Sequence, residues 1–473
     1  MTREDERRRM ERKRVLLISP SFGFIYEGAA IKPGAPFSPP MGLAAVAGSL
    51  VKAGHEVRVL DMNRFPDEKL LDELETFRPH YAGLGFTTIL ADEAARVARL
   101  VKEKSPATAV IAGGVHASSM PEEAMACPHY DIACVGEADF SVLEVVEGRP
   151  AGEIAGVAFR DGGVVKVTPR RPLVEDLDSL PMPAWELFDV SAYRTTHLLA
   201  RKNPAGWIET SRGCPYGCVY CNKSVFGRGF RAKSAGRVVD EMERMLRAGF
   251  REIHIADDCF TVDIPRAKEI CRLILKRGLD FPWATVTGIR ADRVDQELLD
   301  LMKKAGCYRV FYGIETGSEA VLKRINKGET LEEVRRAVAM SKKAGLEVHG
   351  FFMLALPGDN EATMRETIDF AKELDLDMAK AAITIPLPST PYFDELSAQG
   401  RIKTREWSRY NYYFPARELY DHPTVDWDTA EKYYRKFYRE FYFRPSYIVK
   451  RLAASLRSGE LLQDLKAFLQ IKW

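Results

Sequence analysis

From Arg14 to about Val146, short apolar runs alternate with amphipathic segments of helical period. That alternation predicts parallel α/β structure. Residues 15–19, 57–60, 81–86, 110–112 and 132–135 read as strands, and 41–53, 68–77 and 91–102 as helices. Five strands with intervening helices fit a doubly wound sheet of the flavodoxin-like kind, whose ligands lie beyond the carboxyl ends of the strands. Those ends include Gly113-Gly114 and the segment from Gly136 to Asp139. A glycine pair directly after a strand serves either a plain turn or the close approach of backbone to a bulky ligand.

The texture changes between residues 152 and 183. Two β-like runs flank Asp161-Gly162-Gly163, a hairpin signal, and the stretch from Leu177 to Pro183 is punctuated by proline as a linker is. The hairpin is assigned to the connection. A second alternation follows, with strands expected at 207–210, 252–256, 283–287, 309–314, 348–354 and 381–386 and helices between them. Six β/α units predict an open barrel, since eight close the common form. Beyond Pro391 the chain reads as helical. There Tyr434, Phe437, Tyr438 and Phe441 recur at helical spacing opposite Lys432, Arg435, Lys436 and Arg439. This is a face packed on the barrel, or alternatively the wall of a pocket for a greasy substrate or a surface for peripheral membrane contact. The expected organisation is a solvated leader (1–13), a flavodoxin-like domain (14–150), hairpin and linker (151–200), a partial (β/α)6 barrel (201–390) and a helical C-terminal region (391–473).

Composition narrows the class. The 473 residues are 46% hydrophobic and 29% charged, with a net charge of +2. That leaves no bulk electrostatic case for nucleic acid. No apolar run approaches a membrane span, and the first 14 residues lack the apolar core of a signal peptide. Eight cysteines in so long a chain are no disulfide scaffold, so a reducing cytoplasm is the expected compartment. Cys127, Cys134, Cys259, Cys271 and Cys307 are scattered in mostly apolar contexts and read as small core residues.

The other three stand together as Cys214-x-x-x-Cys218-x-x-Cys221, directly after the first predicted barrel strand. Carboxyl ends of barrel strands are where reactive groups collect. Three thiols do not fill a four-ligand zinc site. In a four-iron cluster, normally held by four thiolates, they leave one iron open to another ligand.

This spacing, with Tyr220 before the last cysteine, resembles the signature of the radical S-adenosylmethionine (SAM) superfamily. The order of parts is similar to its cobalamin-binding-domain subgroup, which includes the magnesium-protoporphyrin oxidative cyclases. The likeness runs through Pro39-Pro40-Met41-Gly42-Leu43, Gly113-Gly114-Val115-His116, Val135-Gly136-Glu137-Ala138-Asp139, Asp257-Asp258-Cys259, Gly313-Ile314-Glu315-Thr316-Gly317 and Leu356-Pro357-Gly358. It implies a 4Fe-4S cluster on Cys214, Cys218 and Cys221, with SAM on the open iron. Asp258, in preference to Asp257, would meet the SAM amino group and Arg290 its carboxylate. Glu315 would accept from the ribose hydroxyls, Leu356 and Pro357 would pack near adenine, and Tyr220 would pack beside the cluster or adenine. Cobalamin would be contacted around Gly113, Gly114, Gly136 and Glu137. The chain departs from many cobalamin proteins in lacking an Asp-x-His-x-x-Gly string, so no histidine of that motif holds cobalt from below.

The resemblance implies a cobalamin-dependent C-methyltransferase acting on a small-molecule or lipid-like substrate, with an electron donor such as ferredoxin or flavodoxin. Cyclisation, oxidation or carbon–carbon coupling by the same radical is the alternative. A non-catalytic metal-binding protein is a further one, completed by Cys259 or a histidine if the metal is zinc. A tRNA methylthiotransferase would carry a second three-cysteine set, and only Cys127 and Cys134 precede Cys214.

Overall fold

In a computed structural model that describes residues 12–26, 38–196 and 199–458, the chain builds two largely parallel sheets. In the first, β1 (Arg14–Ser19), β2 (Glu56–Asp61), β3 (Tyr81–Gly85), β4 (Ala109–Gly113) and β5 (Ile132–Cys134) run parallel in the order 2-1-3-4-5. This is the flavodoxin-like order. β1 is a continuous apolar run because both its faces are covered. Leu16 and Ile18 pack with Val97 and Val101 of the helix Ala91–Lys104, while Val15 and Leu17 meet Leu43 and Leu50 of the helix Met41–Lys52.

The hairpin differs from expectation. Its strands β6 (Val157–Asp161) and β7 (Val164–Val167) are not a free connection but extend the first sheet, with β6 antiparallel to β5. β5 spans three residues and leaves an edge to be covered, and Val157 is buried in the same core as Ile132 and Cys134. Gly162 and Gly163 both take left-handed φ, +58° and +85°, as the tight turn demands. The linker beyond packs closely on the first domain. Met182 carbonyl would lie 2.2 Å from a Cβ at Gly48, so a side chain there has no room.

The second sheet holds β8 (Ala205–Ile208), β9 (Glu252–Ile255), β10 (Trp283–Ile289), β11 (Cys307–Glu315), β12 (Glu347–Leu354) and β13 (Met378–Ile383), all parallel and in sequential order. One face meets the helices, with Val310, Tyr312, Ile314, Val348, Phe352, Leu354, Ala379 and Ala381 in one core. The alternate residues Phe311, Gly313, His349, Phe351, Met353 and Lys380 therefore face the other side. β13 starts at Met378, ahead of the predicted 381, because Ala379 and Ala381 are the positions that pack against the helix Trp427–Tyr442.

That helix carries the aromatic repeat, and it seals the barrel's last edge. Phe437 and Phe441 are fully buried. Tyr438 hydroxyl accepts from Ala381 N (3.1 Å) and donates to Ala381 O (2.8 Å), and Tyr442 treats Ala379 likewise (3.3 and 2.8 Å). Two phenols thus satisfy backbone groups that an exposed edge would leave open. The following helix, Pro445–Ser458, leaves Ile448, Val449, Leu452 and Leu456 exposed. Among the described residues no helix is long and apolar enough to cross a membrane. Residues 1–11 of the expected leader and 459–473 of the C-terminal region lie outside the described residues.

Candidate active site

The cysteine loop leaves the end of β8 and is pinched at its base, where Ser211 and Arg212 pair antiparallel with Ala232 and Arg231. At Gly213 (φ +81°) a Cβ would lie 2.3 Å from Gly229 carbonyl, so the pinch requires glycine. Backbone bonds then fix the loop against the barrel mouth. Val219 N donates to Ile325 O and Tyr392 N to Val219 O, both at 3.1 Å. Asn326 Nδ2 donates to Gly217 O at 3.1 Å.

Cys214, Cys218 and Cys221 are half-buried and free of disulfides, whereas Cys134, Cys259, Cys271 and Cys307 are buried and Cys127 is half-buried. Burial pushes the Cys218 and Cys221 thiols up. Lys327 opposes this at Cys218 and Lys223 at Cys221, while Cys214 adds to it at both. Among the described residues, no three His, Cys, Asp or Glu side chains are grouped as ligands of a single ion. A four-iron cluster asks for something else, one thiolate on each of several irons, and three clustered free thiols are a donor set that fits it. Cys259, the candidate fourth thiol for zinc, is buried and pushed up to about 11 by that burial.

The two aspartates after β9 divide sharply. Asp257 is buried and accepts from Thr210 N, Thr210 Oγ1 and Ser211 Oγ, so it anchors the end of β8. Asp258 stays solvent-reachable beside Lys223 and the Gly213 amide, and the protein around it raises its pKa against the pull of Lys223. Lys223 itself is drawn down by burial, which Cys221, Cys214 and Asp258 more than offset.

Glu315 ends β11 with a left-handed φ of +68°. It accepts from Lys327 Nζ at 3.0 Å and shares a hydrogen bond with Tyr220 hydroxyl. Ala355 (φ +56°) and Ser389 (φ +59°) follow β12 and β13. These three non-glycine residues with left-handed φ lie at or beyond strand carboxyl ends, and such backbone recurs at working sites. Tyr220 packs with the cluster of Leu322, Ile325 and Leu356. Leu356 and Pro357 are buried, and their turn is held by Asp359, which accepts from Leu356 N at 2.8 Å and whose carboxyl is raised by burial to about 6.

Arg290 is placed differently from the carboxylate-binding role. Its Nε donates to Asp292 (2.8 Å), Nη1 to Lys327 O (2.7 Å) and Nη2 to Gly328 O (2.9 Å), and its Cζ lies 3.5 Å from the centre of the Tyr216 ring. It clamps the 327–329 turn beneath the cysteine loop.

On the first sheet, Gly114 (φ +102°) is a glycine for an internal reason, since a Cβ would lie 2.4 Å from Phe86 O. Gly113 and Gly136 have no atom nearer than 3.9 Å to such a Cβ, so their backbone is open to close approach. Ser118 ties the two segments, donating to Gly114 O (2.8 Å) and accepting from Gly136 N (2.9 Å). This open glycine backbone is what a bulky ligand such as cobalamin would need. Glu137, by contrast, is engaged by protein. It accepts from Arg212 (3.1 Å), Arg231 (2.8 Å) and Val174 N (2.8 Å), and Asp139 accepts from Arg212 at 2.7 Å. Because Arg212 and Arg231 are the pinch of the cysteine loop, Glu137 welds the two domains.

Sequence reasoning missed four further participants. Lys223 and Lys327 set the charge around the thiols. Asn222 donates both to Ser119 Oγ (2.9 Å) and to Pro388 O (2.8 Å). Tyr412 lies within electrostatic reach of Glu315 and Cys221. The adjacency of Lys223 and Asn222 to Cys221 was the only signal available.

Comparison with known proteins agrees with this architecture. Residues 208–371 match the family model of the radical SAM superfamily, and residues 34–146 that of the B12 binding domain. The chain is 32% identical to an uncharacterized methyltransferase of Pyrococcus horikoshii, over 87% of this chain and 89% of that protein. It is 28% identical to the anaerobic magnesium-protoporphyrin IX monomethyl ester cyclase of Rubrivivax gelatinosus, over 94% and 83% respectively. Its fold matches the cobalamin-dependent SAM radical enzyme OxsB, solved with aqua-cobalamin and SAM bound, with a TM-score of 0.74 and 19% identity over 97% of this chain and 72% of that one. The chain therefore belongs to the radical SAM superfamily, among the members that carry a B12-binding domain ahead of the barrel.

Proposed function

We propose that this protein is a cobalamin-dependent radical SAM methyltransferase acting on carbon. The observation that carries the reading is the meeting of the two sheets' carboxyl ends. Val225 of the cysteine loop lies 3.9 Å from the Cβ position of Gly136, and Asn222, next to Cys221, is bonded to Ser119 just beyond Gly113-Gly114. Bound at this seam, a cluster with SAM supplies a radical initiator and a cobalamin supplies a methyl donor; the protein orients them and excludes side reactions.

The chain's own parts divide the work. Cys214, Cys218 and Cys221 hold the iron, with Lys223 and Lys327 offsetting thiolate charge. Asp258, the carboxylate left open, offers an acceptor to the SAM ammonium. Glu315 retains acceptor capacity for ribose hydroxyls, while Tyr220 and Leu356 fix the wall beside it. Arg290 works as a positioning residue through the 327–329 turn. Gly113 and Gly136 give the cobalamin backbone access, and Glu137 keeps its domain seated. Methylation is supported by the Pyrococcus relative, itself named a methyltransferase.

Reductive incubation of the reconstituted protein with methyl-labelled SAM and candidate substrates tests the reading. Label in the product together with 5′-deoxyadenosine is expected. Deoxyadenosine with an unlabelled, altered product would instead favour the cyclase-like reading, which the Rubrivivax relative supports.

A further inference from the structure

Lys380 is the one charged residue of β13, whose sequence is Met-Ala-Lys-Ala-Ala-Ile. Its neighbours Ala379 and Ala381 face the helix core, so its side chain leaves the opposite face of the sheet. There it stands in register with Phe351, which in turn pairs with Gly313, two residues before Glu315. Phe351 stacks on Phe311 with centroids 5.1 Å apart and planes 21° from parallel. Phe311 also carries the edge of His349 at 4.7 Å. Tyr412, 62% exposed, lies in reach of Glu315 and Cys221, the two mouth residues named above. This face is an aromatic floor with Lys380 at its rim.

Buried and half-buried lysines of the barrel are paired. Lys327 meets Glu315, Lys233 meets Glu241 at 2.8 Å, and Lys342 donates to Leu374 O and Asp375 O. Among the described residues no hydrogen bond or ion pair engages the Lys380 ammonium, and surrounding protein lowers its pKa with no charge to oppose it. Lys380 itself is solvent-exposed on this open inner face, so its ammonium is an unpaired cation that a ligand can reach. Ligand sites combine apolar walls with a few placed polar groups.

Resting on the functional reading above, we infer that Lys380 is the anion-binding residue of the substrate pocket. The substrate class that fits is a flat, apolar body over Phe311 and Phe351 joined to an anionic group, a carboxylate or a phosphate, held at β13. Such an anchor places the substrate's other end toward Glu315 and the cysteine loop.

A matched probe pair tests this on the full chain. 8-Anilinonaphthalene-1-sulfonate carries an aromatic body and an anion, and N-phenyl-1-naphthylamine carries the same body uncharged. Both are titrated by fluorescence against wild type, Lys380→Met and Lys380→Arg. Lys380→Met is expected to weaken the Lys380-dependent sulfonate binding by about tenfold or more and to leave the neutral probe unchanged, with Lys380→Arg restoring the sulfonate. Equal sulfonate binding in wild type and Lys380→Met overturns the inference, as does equal loss of both probes. Iron content and SAM cleavage of the same wild-type preparation report separately on the functional reading, because neither enters the probe titration.

Discussion

The two ends of the six-stranded sheet use the same residue types for opposite purposes. At the amino ends of the strands, Glu252 accepts from Arg201 N and Lys202 N (2.7 Å each), Tyr308 hydroxyl (2.7 Å) and His254 Nε2 (2.6 Å). Glu347 beside it takes Arg201 and Arg309. Every carboxylate oxygen there is occupied. At the carboxyl ends, exposed Asp258 has one backbone donor and a neighbouring lysine, and on the open inner face of the sheet Lys380 has no partner among the described residues. A buried carboxylate saturated with donors is a staple. An exposed one with few protein donors is a socket, its charge left for a ligand to engage.

The contrast can be broken first at Cys218. Cys218→Ala should reduce SAM cleavage by about a thousandfold or more while the cobalamin content and melting temperature stay near wild type, because the thiol carries a ligand and little packing. Absorbance of the cluster and chromatographic deoxyadenosine check both halves. At the opposite end the effect should be reversed. Glu252→Ala leaves four donors unmet and should cost about 3–5 kcal/mol of stability, with iron bound per folded molecule unchanged.

Asp359 offers a subtler handle at the mouth. Its folded pKa, raised to about 6, lies above the unfolded value. It therefore stabilises the fold fully only below the unfolded pKa, and that contribution is lost as pH rises through 6. The loss is no more than about 3 kcal/mol. Asp359→Asn should flatten this segment of the melting-temperature profile between pH 4 and 6.5; an unchanged slope would assign it to other groups. The finest test sets neighbours against each other. Asp257→Asn should lower stability by about 1–2 kcal/mol, whereas Asp258→Asn should weaken SAM binding about tenfold at constant stability. Isothermal titration and thermal melts separate the two.

Much of this was readable from the chain. Short apolar runs marked all eleven parallel strands, and the 214–221 spacing marked the cysteine loop at the barrel mouth. What stayed hidden was pairing across sequence distance. Nothing local to Arg290 announces that its donors go to the carbonyls of 327 and 328, and nothing local to Glu137 announces Arg212 and Arg231. Strand ends alone do not say whether a charge will be consumed by protein or left for a ligand. The hairpin was misassigned for the same reason, since its turn is local and its pairing with β5 is not. Asp257 and Asp258 show the limit most clearly. They are adjacent and chemically identical; the resemblance ranked Asp258 first, and the fold supplies the physical reason.

Asn222 gives the seam a thermodynamic meaning. Its one amide nitrogen reaches Ser119 on the glycine side and Pro388 on the barrel side, and Ser389 hydroxyl returns to Ser119 O at 2.7 Å. Whatever shifts Cys221 when the loop is loaded must also shift the helix that follows Gly113-Gly114. Any change one ligand makes in the other's affinity is then reciprocal, equal in both directions. Half-loaded protein would differ from the sum of its parts, and the two cofactors would report on each other before any substrate arrives.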